Sequence, residues 1–184
     1  FNKELGISFP DKKIIPGKKL DKLRYGENPH QKSSIYIHGN NDQEIGLKQI
    51  AGKNLSYNNY NDIFSSLEIL HSLKKTGTVI IKHANPSGVS VNKSPIKSIQ
   101  NALSSDPISA FGGVVACNFI INKKIAKELS KTFFEVILAK KFKKDSLKIL
   151  QSRKNLILID ISKFKIKSND QIRYFDNSFL VQDK

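Results

Sequence analysis

Four stretches decide what this chain can fold into: Thr78-Val79-Ile80-Ile81 and the runs at 113 to 121, 133 to 139 and 155 to 161. Each is short, rich in β-branched or aliphatic residues and bounded by polar positions, which suits a central strand buried on both faces of a sheet. Segments of helical spacing lie between them. Asn61 or Asp62 caps a helix in which Ile63, Leu67 and Leu70 share a face, ending near Thr76-Gly77. Ser94-Pro95 is an N-cap followed by proline at the first helical position, and Ile96, Ile99 and Leu103 form the inward stripe. A third short helix starts at Asn122. Buried strands alternating with helices predict a layered α/β domain.

The flanks are less regular. Residues 1 to 20 carry Pro10, Pro16-Gly17 and several lysines without sustained periodicity, so they read as a lead-in or linker, with ordered structure expected from about Leu23. Ser34-Ile35-Tyr36-Ile37-His38 alternates and then meets Gly39-Asn40-Asn41-Asp42, as a strand and its turn do. Past Lys163, Gln171-Ile172-Arg173-Tyr174-Phe175 and Ser178-Phe179-Leu180-Val181-Gln182 flank Asp176-Asn177, which predicts a hairpin or two short strands. The sequence then stops at Asp183-Lys184, directly behind a strand, as an interrupted domain would.

A length of 184 residues suffices for one domain with a core, or for part of a larger one. No stretch reaches the roughly 18 apolar residues of a membrane span and no apolar signal core opens the chain, so the expected location is the cytoplasm, with no membrane partner. The single cysteine, Cys117, lies inside Gly113-Val114-Val115-Ala116-Cys117. That argues against a disulfide framework and a cysteine-based metal site, and predicts a small buried strand residue in preference to a catalytic thiol. A net charge of +15 raises the question of nucleic acid. The lysines are scattered, however, with no aromatic interleaving, so nucleic acid is not the expected partner, and the field would also draw in small anions.

Four polar segments are candidate sites. In Lys82-His83-Ala84-Asn85-Pro86-Ser87-Gly88, a cation and an imidazole stand at the end of a buried strand, with a turn expected over Asn-Pro-Ser-Gly. Strand neighbours point to opposite faces, so the pair serves one site only if the strand frays or bulges there. Histidine moves protons near neutral pH, and lysine supplies positive charge to a developing oxyanion. Leu23-Arg24-Tyr25-Gly26-Glu27-Asn28-Pro29-His30-Gln31 sets a guanidinium suited to phosphate or carboxylate in a Gly/Pro turn; a polar surface turn explains the segment equally well, and His30 reads as structural. Asn54-Leu55-Ser56-Tyr57-Asn58-Asn59-Tyr60-Asn61-Asp62 is dense in hydrogen-bonding groups, with Asn61 and Asp62 read as caps and Asn58 and Asn59 free to face a ligand. Asp106-Pro107-Ile108-Ser109-Ala110-Phe111-Gly112-Gly113 offers paired glycines for a close backbone approach and a ring to stack, although a loop phenylalanine is more often core.

Taken together, Arg24-Tyr25-Gly26-Glu27-Asn28-Pro29-His30-Gln31, Leu55-Ser56-Tyr57-Asn58-Asn59, Lys82-His83-Ala84-Asn85-Pro86 and Asp106-Pro107-Ile108-Ser109-Ala110-Phe111-Gly112-Gly113 closely resemble, in family order, the formyltransferase domain of the bifunctional purine-biosynthesis proteins that combine AICAR transformylase with IMP cyclohydrolase. The similarity covers most of residues 10 to 184. It implies transfer of a formyl group from the cosubstrate 10-formyltetrahydrofolate to the 5-amino group of AICAR, giving FAICAR on the way to IMP. By this resemblance His83 handles the amine proton, and Lys82 stabilises the oxyanion or helps protonate the folate leaving nitrogen. Arg24 and Tyr25 carry over as nucleotide contacts, Arg24 near the phosphate, and Asn58 as a further substrate contact. Ile108, Phe111 and Gly112 line the boundary between AICAR and the pterin, and Glu135 faces AICAR.

The resemblance also implies a cytidine-deaminase-like layered α/β unit, a mixed sheet with flanking helices, as one of two such units in a homodimer with interface active sites. The deaminases' zinc signature is absent from the sequence, so no catalytic metal is expected. On this reading residues 1–22 are an interdomain linker and 23–184 the first half of the transformylase domain, with the cyclohydrolase domain and the second half outside the chain. Two positions depart from the family pattern: Ser87, where bacterial relatives commonly carry cysteine, and Lys140, which follows Ala139 where a proline is frequent. Two rivals remain at this point: a basic nucleic-acid-binding module and a catalytically silent, dimerising scaffold.

Overall fold

The computed structural model describes residues 9–38, 45–166 and 170–183. The turn expected at 39–42 lies outside the described residues. In chain order the elements are β1 (Gly17–Leu23), β2 (Ser33–His38), β3 (Lys48–Ala51), α1 (Tyr57–Ser72), β4 (Gly77–Lys82), β5 (Asn85–Val91), α2 (Pro95–Ser105), α3 (Pro107–Ala110), β6 (Gly113–Ile121), α4 (Lys123–Leu129), β7 (Phe134–Phe142), α5 (Lys144–Leu150), β8 (Ile157–Asp160), β9 (Asp170–Phe175) and β10 (Ser178–Asp183).

A six-stranded sheet in the order β3-β8-β7-β6-β4-β5 forms the centre. It is mixed: β6, β7 and β8 run parallel, while β4 lies antiparallel to both β5 and β6, and β3 antiparallel to β8. The four apolar runs of the sequence are the four inner strands. Alternate residues feed two cores, as a period of two requires. Ile80, Val115, Cys117, Ile137, Ala139 and Leu158 pack with residues of α2, α4 and α5 on one side. Val79, Ile81, Val114, Ala116, Val136, Leu138, Ile157 and Ile159 pack with Ile63, Leu67 and Leu70 of α1 on the other. The result is the layered α/β arrangement expected from the sequence. Among the described residues no helix is long and apolar enough to cross a membrane.

Cys117 is fully buried, and burial pushes its thiol up to about 12, a hydrogen bond with Thr78 acting weakly the other way. The thiol is therefore protonated at neutral pH and out of reach of reagents. Iodoacetamide should leave the native chain unmodified for hours at pH 7 and label it once it is unfolded in guanidinium. Prompt alkylation without unfolding would contradict this placement.

Several expectations need correction. Among the described residues, regular structure begins at Gly17, ahead of Leu23, because the exposed residues of β1 are held by antiparallel pairing with β2. The cap of α1 is Ser56, with neither Asn61 nor Asp62 in that role: its hydroxyl accepts the Asn59 N–H (3.2 Å) while Asn59 Oδ1 accepts the Ser56 N–H (3.1 Å), a reciprocal box that starts the helix a turn earlier. The helix ends at Ser72, short of Thr76-Gly77. Ser94 caps α2 as expected, Ile99 is fully buried and Ile96 and Leu103 pack half-buried on the same core. Asn122 caps α4. Short β3, α3 and α5 carry too little apolar pattern to be read in advance. The segments around Asp176-Asn177 form the expected antiparallel hairpin, β9 with β10.

Candidate active site

The turn after β4 is not where the sequence suggested. Lys82 pairs with Asn85, so β4 and β5 form a tight hairpin whose two turn residues are His83 (φ 49°) and Ala84 (φ 60°). Two left-handed residues in succession match the twist of a two-residue hairpin, which overrides the preference for glycine or asparagine there. Asn85-Pro86-Ser87-Gly88 is thus the start of β5 and not a turn. The irregularity that the Lys-His pair requires is present in two forms: His83 leaves the strand, and the partner strand bulges at Ser87, since Ile80 pairs with Gly88 but Ile81 with Pro86.

Because β4 runs against β6, and β6 with β7, the carboxyl end of β4 meets the amino ends of β6 and β7. The amino-terminal part of α1 lies over the same end of the sheet, and there a cavity of about 840 Å³ opens. It is lined by Arg24 and Tyr25 from the segment after β1, by Asn58, Asn59, Tyr60 and Asp62 of α1, by Lys82, His83 and Gly112, and by Glu135 of β7. Four cationic side chains, Lys22, Arg24, Lys53 and Lys82, face three carboxylates, Asp21, Asp62 and Glu135.

The positioning contacts are specific. Lys82 Nζ donates to the Gly112 carbonyl (3.0 Å), which leaves two further N–H groups for a ligand. Gly112 sits at φ +70°, and a Cβ there would stand 3.1 Å from that ammonium, so glycine serves both the backbone conformation and the approach of the lysine. Asn59, buried and already engaged in the helix cap, donates from Nδ2 to Glu135 Oε2 (3.2 Å). Asn58 Nδ2 donates to the Glu27 carbonyl (3.3 Å), tying α1 to the Arg24 segment. That segment is closed on itself: Gln31 accepts the Gly26 N–H at its carbonyl (2.8 Å) and the Asn28 N–H at its side chain (2.7 Å). The Arg24 guanidinium lies 5.7 Å from the centre of the Tyr25 ring.

Of the residues singled out in the sequence, Arg24, Tyr25, Asn58, Lys82, His83, Gly112 and Glu135 share this cavity. Ile108 and Phe111 do not line it: Ile108 in the single turn of α3 and Phe111 at its end are 89% and 62% exposed, and Phe111 packs at a tilt against Phe133 with ring centres 5.3 Å apart. His30 is exposed and does not line the cavity. Sequence reasoning missed Tyr60, whose phenol is held above its ordinary range by burial and then by the Asp21 carboxylate. It also missed Asp62, whose capping reading hid a contact described below. Polar residues clustered ahead of a helix were the available signal.

A mixed six-stranded sheet flanked by helices, with a charged cavity at its strand ends, defines an α/β domain, an architecture in which small-molecule sites commonly lie at such strand ends. The whole chain, residues 1–184, matches the family model of the AICARFT/IMPCHase bienzyme, and the chain belongs to that family. It is 39% identical over 190 residues to the bifunctional purine biosynthesis protein PurH of Persephonella marina, a match that covers all of this chain and 37% of the relative. It is 35% identical over 189 residues to PurH of Leptospira biflexa, again covering all of this chain and 36% of the relative. For PurH of Clostridioides difficile the figures are 34% over 189 residues, with all of this chain and 37% of the relative covered. The chain thus spans a little over a third of the length of these relatives.

Proposed function

We propose that this chain supplies the proton-handling and nucleotide-facing part of an AICAR transformylase site, the first half of that domain, in purine biosynthesis. The observation that carries the reading is that Lys82, His83, Arg24, Tyr25 and Glu135 border one cavity in a chain of this family. In the reaction the 5-amino nitrogen of AICAR attacks the formyl carbon of 10-formyltetrahydrofolate, and the carbonyl electrons move onto oxygen. His83 takes the proton that the amine must lose, because conjugation with the imidazole carboxamide makes that amine a poor nucleophile. The Lys82 ammonium offsets the negative oxygen. Collapse breaks the bond to the folate N10, which leaves with a proton, giving FAICAR and tetrahydrofolate. Arg24 faces the AICAR phosphate, a planar fork meeting a tetrahedral anion. Ile108 and Phe111, exposed beside the cavity residue Gly112, are apolar enough to meet a pterin. The protein works in the cytoplasm as a homodimer whose sites are completed at the subunit interface.

Calorimetric titration of the 184-residue chain with AICAR tests this. We expect saturable heat, and Arg24→Ala should weaken affinity by about tenfold to a hundredfold, the worth of a charged hydrogen-bonding partner. Unchanged affinity would remove Arg24 from the phosphate site. Absence of saturable heat would favour the silent scaffold, and salt-dependent binding of arbitrary oligonucleotides without protection by AICAR would favour a nucleic-acid module.

A further inference from the structure

His83 and Ala84 occupy backbone conformations that cost a non-glycine residue free energy, so something must hold them there. Pairing of β4 with β5 fixes the residues on either side, and Asn85 Nδ2 donates to the His83 carbonyl (2.9 Å). Both of those contacts lie within the hairpin. The link from the turn to another element is made by Asp62 of α1, whose Oδ1 accepts the Ala84 N–H at 2.6 Å. A carboxylate accepting a backbone N–H is a charge-assisted bond, short and directional. Asp62 is half-buried and borders the same cavity as His83. Its helix is registered by the Ser56–Asn59 box, and Asn59 reaches Glu135 from that same turn of helix.

We infer that Asp62 is a positioning residue: its carboxylate clamps the left-handed His83-Ala84 turn to α1 and thereby sets where the imidazole stands at the cavity wall. The carboxylate engages the backbone beside the histidine and leaves the ring to the ligand. It acts through placement of the imidazole. The same helical turn, through Asn59, holds Glu135, so one helix contacts two segments that line the cavity.

The functional weight of the clamp rests on the proposed role of His83, but the clamp itself is read independently of turnover. In the 184-residue chain labelled with 15N and 13C, a scalar coupling across the hydrogen bond should connect the Ala84 amide nitrogen to the Asp62 carboxylate carbon. Its absence would overturn the proposal. In Asp62→Ala, hydrogen-exchange protection of the Ala84 amide should fall by about tenfold to a hundredfold, with Val79 and Val115 amides still protected, and the His83 ring signals should move toward those of free histidine. Asp62→Asn, whose amide oxygen can accept the same N–H, should restore most of both. Unchanged Ala84 protection or unmoved ring signals in a folded Asp62→Ala would also overturn it, and if that variant fails to fold the coupling in the native chain decides. Should the clamp be present while His83 substitutions leave formyl transfer intact, the functional reading fails and the clamp stands.

Discussion

In a chimera joining residues 1–184 to the remaining segments of the Persephonella marina relative, His83→Asn should lower turnover in formyl transfer by about two to four orders of magnitude, the usual worth of a positioned general base. AICAR affinity should stay within a few-fold, since phosphate binding is assigned to Arg24. Asparagine is the better replacement because position 83 has φ 49°, a region that asparagine adopts at lower cost than alanine. His83→Ala would remove the imidazole and strain the turn together, mixing two effects. Turnover within a few-fold of the unsubstituted chimera would end the proton-carrying role, whatever the cavity looks like. A loss confined to AICAR affinity would make His83 a binding group.

Gly88→Ala should be the most damaging glycine-to-alanine change among the described residues. A Cβ at this position would lie 1.9 Å from the Ala102 carbonyl oxygen and 2.8 Å from its carbon, both in the backbone of α2. Alanine is normally favoured over glycine in a strand by roughly 0.5–1 kcal/mol through chain entropy. Here that gain is outweighed, since α2 would have to move by more than an ångström while Ile99 and Ala102 are fully buried against the sheet. Overpacking of this kind costs about 1–3 kcal/mol, and more where backbone must shift, a large part of a typical domain's stability. The urea midpoint should fall accordingly, at unchanged slope. A midpoint equal to or above that of the native chain would refute the close approach of β5 to α2.

Gly88 also illustrates what a sequence hides. Beside Asn85, Pro86 and Ser87 it reads as a turn glycine, yet no positive φ is needed there; what matters is a carbonyl of a helix that follows later in the chain. The inner strands were legible because burial on both faces demands continuous apolar runs, and the stripes Ile63-Leu67-Leu70 and Ile96-Ile99-Leu103 were legible because burial on one face demands helical spacing. β1 and β3 were not: Gly-Lys-Lys-Leu-Asp-Lys-Leu and Lys-Gln-Ile-Ala are held by pairing at an edge and owe little to composition. In the site, Arg24, Tyr25, Asn58, Lys82, His83, Gly112 and Glu135 were named from motifs and do line one cavity. Ile108 and Phe111 were named from the same motifs and stand outside it. Asp62 escaped because its partner is a backbone N–H 22 residues away, which no local pattern encodes.

The bulge at Ser87 has an effect away from the cavity. β5 closes one border of the sheet, with Val89 and Val91 exposed, and such a border invites another chain to add a strand. Pro86 removes a donor from that border, and the extra residue beside it breaks the regular spacing of the groups that remain. The distortion beside the His83-Ala84 turn therefore also discourages fibrous growth along an otherwise adhesive margin, so the shape of the cavity wall and resistance to aggregation both draw on Pro86 and Ser87.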